Sequence, residues 1–344
     1  MTALPATAIV LARRPEGEPK PADFRVARIE VPDPGPGQMR LETQWLSLDP
    51  YMRGRMSAAR SYTKPVEVGD VMVGQGIARV ESSRLPDYRP GDLVLAPTGW
   101  QSAALSDGTG VERLDPSIRP LTATLGVLGM PGETAYSGLS DIGKPKPGET
   151  VVVAAATGPV GSTVGQIAKL RGCHAVGIAG GPEKCRLLRE TFGFDEAIDH
   201  RAPDFAERLK AACPDGIDVY FENVGGAVWE AVLPLLNDFA RVPVCGLVAQ
   251  YNATALPPGP NRVPEMMRAI LSRRLTMRGF IVWDLAHLKA DFRREVGAWV
   301  ADGKIRVLEH VVEGLETAPQ GLIDLLAGRN LGKALVRVAP DAPR

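Results

Sequence analysis

The sequence predicts an α/β protein built from a β-rich part and a doubly wound, mainly parallel sheet. Three observations predict it. Residues 1–125 carry short apolar runs broken by Pro and Gly; the texture changes near Leu125, and from Glu149 onward continuous apolar runs alternate with helical periodicity; and the last forty or so residues, 306–344, lose that alternation and read as strands again. We therefore expect a discontinuous first domain, 1–125 with 306–344, around a second, 126–305. A length of 344 residues suits two domains.

In the first part the runs ARIEVPDPGPGQMRLETQWLSLDPY, VMVGQGIARVESS and RPGDLVLAPTGW read as strands, with turns at PDPGPG (32–37) and RPGD (89–92). In the second part TVVVAAA (150–156) is apolar without interruption, as a strand buried on both faces should be. Val160, Val164, Ile167 and Ala168 then recur at helical spacing. HAVGIAG (174–180) predicts a strand and 182–193 a helix stopped by glycine. Strands follow at 196–200, 217–224, 241–247 and 277–283, with helices at 204–213 and 227–236. IRVLEHVVEG and GKALVRVAP supply the closing strands.

Lys plus Arg and Asp plus Glu both number 40, so no basic field invites nucleic acid or an anionic membrane. No apolar stretch approaches a membrane span, and the N-terminus lacks the pattern of a signal peptide; a cytoplasmic protein is expected. Cys173, Cys185, Cys213 and Cys245 form no C-x-x-C pair and are expected to be buried thiols. A catalytic zinc takes three protein ligands, and no Cys or His precedes Cys173, so no metal is expected.

AAATGPVGSTVGQIAKLRG (154–172) is the strongest local signal. Gly158 lets the backbone approach a pyrophosphate, Gly161 lets the helix pack on the strand, and the free N–H groups near Val160 and Gly161 face the phosphate. Ala156 stands where the first glycine of the dinucleotide fingerprint would be, so the motif is imperfect. The second strand ends in Ile178, Ala179, Gly180 and Gly181, without the acid that an NAD site uses, and Lys184 follows where a 2′-phosphate would sit. Glu183 could serve the NAD role, or be an acid favoured by the helix dipole; Lys184 could be merely solvated. NADP(H) is the expected cofactor.

The motifs LSLDPYMRGRM (46–56), LGMPGETAYSGL (128–139), AAATGPVGSTVGQIAKLRGC (154–173), ENVGG (222–226), CGLVAQYNAT (245–254), LPPGPNR (256–262) and NLGK (330–333) resemble, in order and over almost the whole chain, the zinc-independent medium-chain dehydrogenase/reductases. Within these the resemblance is to the prostaglandin/alkenal double-bond reductases, bacterial curcumin reductases among them. It implies a GroES-like catalytic domain, a Rossmann domain, an active site in the cleft between them, NADPH as hydride donor, an α,β-unsaturated ketone or aldehyde as substrate, and a homodimer. It also implies that Lys184 binds the 2′-phosphate, with Gly181 and His200 nearby; many relatives have serine and tyrosine at those two positions. Asn223 should lie near the adenosine ribose and diphosphate, Tyr251 near the nicotinamide ribose, Phe280 and Val282 beside the carboxamide, and Asn330 near the cofactor from the returning segment. Tyr51, Met52 and Arg53 should line the substrate side. Tyr251 is then a candidate donor to the enone oxygen or an aromatic packed over the cofactor, and Tyr51 a second donor or a pocket wall. A quinone reductase and a non-catalytic NADPH-binding structural protein are the other functions open to this scaffold.

Overall fold

A computed structural model describes residues 3–257 and 259–339. Pro258, inside the 256–262 motif, lies outside the described residues. The described residues form two compact units, one from those up to Leu125 together with those from Glu309 onward, the other from those between Gly126 and Leu308.

The first unit opens with an antiparallel pair, β1 (Leu4–Leu11) on β2 (Phe24–Val31). A seven-stranded sheet follows from β3 (Met39–Ser47), β4 (Gly76–Ser83), β5 (Leu93–Ala96), β6 (Ala103–Ser106), β7 (Glu112–Arg113), β14 (Glu309–Glu313) and β15 (Lys333–Arg337). Its order is β14-β15-β3-β4-β5-β7, with β6 also on β3. Ile9, Leu11, Leu46, Leu48, Met52, Trp100, Leu322 and Val336 build its main core. The short helix α1 (Tyr51–Arg55) leaves the end of β3, and α9 (Ala318–Leu326) joins β14 to β15.

The second unit has six parallel strands: β8 (Thr150–Ala154), β9 (His174–Ala179), β10 (Glu196–Asp199), β11 (Ile217–Phe221), β12 (Leu236–Val244) and β13 (Thr276–Gly279). Their order is β10-β9-β8-β11-β12-β13. The sheet thus winds outward in both directions from β8, and the order reverses between β8 and β11, where such sheets bind ligands. Every residue of β8 is buried, which explains its unbroken apolar run. The helices are α2 (Met130–Ser137), α3 (Pro159–Leu170), α4 (Pro182–Glu190), α5 (Phe205–Ala212), α6 (Gly226–Val232), α7 (Val263–Arg273) and α8 (Lys289–Ala301).

Several boundaries differ from the sequence reading, three of them by four residues or more. The helix expected over 227–236 stops at Val232, because Pro234 lies in a 3-10 turn over Leu233–Leu235. The strand expected at 241–247 starts earlier, at Leu236, and carries an irregularity where Phe239 takes a positive φ of 63°. The strand expected over 277–283 ends at Gly279, since Val282–Leu288 coils into 3-10 turns. No described helix is long and apolar enough to cross a membrane.

Candidate dinucleotide and substrate site

The site in the second unit forms where strands end. Ala155 takes a positive φ of 50° just after β8, turning the chain into α3, which starts at Pro159. Gly161 is required there: a Cβ on it would lie 2.5 Å from the Ala155 carbonyl oxygen and 2.7 Å from Ala156 Cα, both immovable backbone. At Gly158 a Cβ would meet only the Ala155 oxygen, at a tight 3.3 Å, a milder restriction than at Gly161. The first N–H groups of α3, at Val160 and Gly161, have no earlier helical turn to bond, which makes this end an anion seat.

Across the switch point, Asn223 Nδ2 donates to the Ala154 carbonyl at 2.9 Å, tying the end of β11 to the end of β8. Glu222 anchors the same loop: one carboxylate oxygen accepts Tyr220 O–H at 3.0 Å, Val224 N–H at 2.6 Å and Gly225 N–H at 2.8 Å. Burial nevertheless raises the Glu222 pKa, with these bonds opposing. A Cβ on Gly246 would stand 3.5 Å from the Asn223 carbonyl oxygen and 3.1 Å from the Tyr251 hydroxyl. Asn223 and Tyr251 therefore flank one point beyond β12.

That point opens on a cavity of about 440 Å³ lined by Val244, Cys245, Gly246, Leu247, Tyr251, Gly279, Phe280, Ile281 and Asp284. Phe280 belongs to it, but its ring is a packing element, edge-on to Phe221 with centroids 6.2 Å apart. Val282 opens the 3-10 turns that follow β13, next to Ile281, which lines the cavity. Cys245 is a lining residue that sequence reasoning passed over. Burial, then the Glu222 charge, pushes its thiol up to about 12, so it stays un-ionised beside any electrophile held there. A larger cavity, about 600 Å³, lies where β11 and β12 begin. Its Arg273 is already engaged with the carbonyls of Leu233, Pro234 and Leu236, and ligands of such sheets bind at the opposite strand ends.

The ends of β9 and β10 gather the basic residues. Gly181 caps α4 at a φ of 97°, and its N–H donates to Asp199 Oδ1 at 2.8 Å. A serine there would sit in the strained left-handed region, so this loop conformation goes with glycine. The same Asp199 oxygen accepts Arg201 N–H at 2.9 Å. A Cβ on Gly180 would be 2.9 Å from both Arg201 Nε and His200 Nε2. Burial, followed by the Arg201 charge, lowers the pKa of both Lys184 and His200. His200 is thus held on the neutral side. Arg201 is the basic residue that sequence reasoning missed; it lies just beyond β10, and only the approach of β10 to β9 brings it to Gly180.

In the first unit Tyr51 is half-buried, and its phenol is pushed well up by burial and then by Asp49. Met52 is fully buried among Ile9, Leu46 and Trp100, so its side chain is core, not a substrate-facing wall as expected. Arg53 is buried too, and its guanidinium donates to the Gly17 carbonyl at 2.8 Å. Burial lowers its pKa, against the pull of Asp23. Asn330 is buried and donates through Nδ2 to the Gly332 carbonyl at 2.7 Å.

Among the described residues no group of three or more His, Cys, Asp or Glu is placed to hold a metal ion.

Comparison with known proteins gives consistent relatives. Residues 7–114 match the family described as the N-terminal domain of oxidoreductase, and residues 159–302 the family described as zinc-binding dehydrogenase. The chain is 56% identical over 333 residues to the NADPH-dependent curcumin reductase of Escherichia coli (strain K12), covering 96% of each. It is 42% identical to prostaglandin reductase 1 of Bos taurus, covering 93% of this chain and 95% of the relative. The crystal structure of CurA in complex with NADPH from Vibrio vulnificus superposes with a TM-score of 0.94 at 52% identity, over 97% of this chain and 99% of that one.

Proposed function

The chain belongs to the medium-chain dehydrogenase/reductase family, in its prostaglandin/alkenal reductase group, and on that premise we propose that it is an NADPH-dependent reductase of carbon–carbon double bonds conjugated to a carbonyl. The observation that carries this reading is the near-full-length likeness to a reductase named for NADPH and curcumin.

The residues present fit the cofactor. The Gly161 contact leaves no room for a side chain where α3 meets the turn, and a Cβ on Gly158 would be tight against the Ala155 oxygen, so both positions favour glycine, as a close pyrophosphate seat needs. Lys184 and Arg201 are proposed to hold the 2′-phosphate with His200, above the Gly181 loop; Asn223 is assigned to the adenosine ribose and diphosphate. When bound, the cofactor supplies a hydride to the β-carbon. Negative charge then collects on the carbonyl oxygen, and a hydrogen-bond donor aimed at that oxygen lowers the barrier. Tyr251 is the first candidate donor, because its hydroxyl stands over Gly246 in the strand-end cavity. Tyr51, whose raised pKa keeps it a donor at every working pH, is the second. Protonation of the α-carbon by tyrosine or water completes the reduction.

No metal enters this reading, since residues 1–172 offer neither Cys nor His. A homodimer is part of the proposal. β13 is the edge of its sheet, and the adjoining α7 exposes Val263, Met267 and Leu271 at four-residue spacing, a stripe suited to a second copy. A cytoplasmic setting is proposed as well, supported by the four free cysteines.

The test is NADPH oxidation across enones, enals, curcumin and quinones, with products identified. Saturated ketone or aldehyde is expected. Turnover of quinones alone would establish a quinone reductase, and tight NADPH binding without turnover of any acceptor would leave a binding protein.

A further inference from the structure

A buried ion pair stands close in sequence to two of the site residues, Tyr51 and Asn330. Lys333, at the start of β15, is 2% exposed, and its Nζ donates to the Leu48 carbonyl at 2.7 Å and to Asp49 Oδ1 at 2.8 Å. The other Asp49 oxygen accepts the Ser47 hydroxyl. Leu48 N–H donates to the Ala334 carbonyl at 3.1 Å beside it. On the other flank, Glu309 of β14 stands in register with Lys333, its Oε2 accepting Thr122 Oγ1–H at 2.9 Å while Oε1 is buried with no partner. Burial lowers the Lys333 pKa, opposed by Asp49 and Glu309.

We propose that Lys333 and Asp49 are positioning residues, whose bond holds the Tyr51 turn and the Asn330 loop in one fixed arrangement. The two segments are joined here across 284 positions of sequence. Asp49 directly precedes Pro50, the N-cap of α1, and its carbonyl accepts Met52 N–H at 3.1 Å. A five-residue helix cannot sustain itself, so the orientation of α1 depends on what anchors its first turn. Asn330 precedes Lys333 by three residues, and its side chain is folded onto Gly332. Stability alone does not call for such a pair: buried ion pairs can often be replaced by apolar groups of similar volume without loss. What an apolar replacement lacks is direction. The inference rests on the reductase reading only in giving Tyr51 and Asn330 work to do.

The experiment uses the full chain. Lys333→Met alone strands the Asp49 carboxylate and is expected to lower Tm, so Asp49→Asn combined with Lys333→Met carries the test. Its Tm should stay close to the parent's. Its kcat/KM for an enone that the parent reduces should fall by up to about 10²-fold, the scale of a small misplacement. Amide hydrogen exchange should quicken over 48–56 and 330–334. Parent-like kcat/KM in the folded double variant would overturn the proposal. So would lost activity with unchanged exchange, which would assign the pair a direct role. If the parent reduces no enone, the reductase reading falls, and the exchange comparison decides the tether by itself.

Discussion

Alanine at Lys184 or Arg201 should weaken NADPH binding and leave NADH binding almost unchanged. Lys184 lies in the first turn of α4, just past the end of β9, Arg201 lies against Gly180, and the Arg201 charge already lowers the Lys184 pKa. A 2′-phosphate dianion would relieve that repulsion and gain a charge-assisted bond from each. Such a bond is worth about 1.5–3 kcal/mol, or roughly 10–150-fold in dissociation constant. Arg201→Ala should fall at the lower end of that range, because it also releases Lys184 from its like-charged neighbour. Members of one charge network do not add, so the double variant should depart from the product of the single effects. Fluorescence titration of both cofactors at two salt concentrations measures this, and the NADPH preference should shrink as salt rises. Equal losses for NADPH and NADH would refute the assignment and return both residues to the solvated surface.

Three other outcomes follow from the same geometry. His200 is held below its usual pKa, so in the free protein it takes up a proton only beneath about pH 6.5, the ordinary value. A bound phosphate raises that pKa again; the ratio of NADPH affinities, parent over His200→Phe, should therefore grow as pH falls and flatten above neutrality, and a pH-independent ratio would remove His200 from the site. Gly161→Ala drives a Cβ into the Ala155 carbonyl and should cost about 1–3 kcal/mol in denaturant unfolding while weakening both cofactors alike; a variant as stable as the parent would show that the turn can yield. Dialysis against a chelator should leave activity intact, and a loss restored by zinc would overturn the metal-free reading.

How far the sequence could be read depends on the range of each cause. β8, α3 and β9 were legible because burial on both sheet faces writes an unbroken apolar run and the helix writes its own period. The glycine turn was legible because Gly161 answers a local steric demand. Met52 was misread because α1 is too short to show which face is inward; a motif places the residue but not its side chain. The strand over 277–283 was drawn too long for a similar reason: nothing local says that it stops at Gly279. Arg201 and the Lys333–Asp49 pair depend on contacts between separate strands, which no window along the chain contains.

Tyr251 is where the chemistry can be tested most directly. Its hydroxyl would lie 3.1 Å from a Cβ built on Gly246, in a cavity whose one thiol is kept un-ionised, so the phenol is the donor on hand for a developing oxyanion. Tyr251→Phe keeps the ring and removes only that donor. If the hydroxyl stabilises the enolate, kcat should fall by about 10²-fold or more with NADPH affinity preserved. If it only orients the ribose, the loss should be smaller and appear in NADPH affinity instead. Gly246→Ala gives a second approach to the same atom: the new methyl group is tight against the hydroxyl and should shift it by a few tenths of an ångström. Its effect on kcat should then be large in the parent and nearly absent in Tyr251→Phe, since the displaced atom is gone. Equal losses from Gly246→Ala in both backgrounds would mean that the alanine acts through the backbone. Unchanged kcat and KM in Tyr251→Phe would reduce Tyr251 to packing and move the donor role to Tyr51.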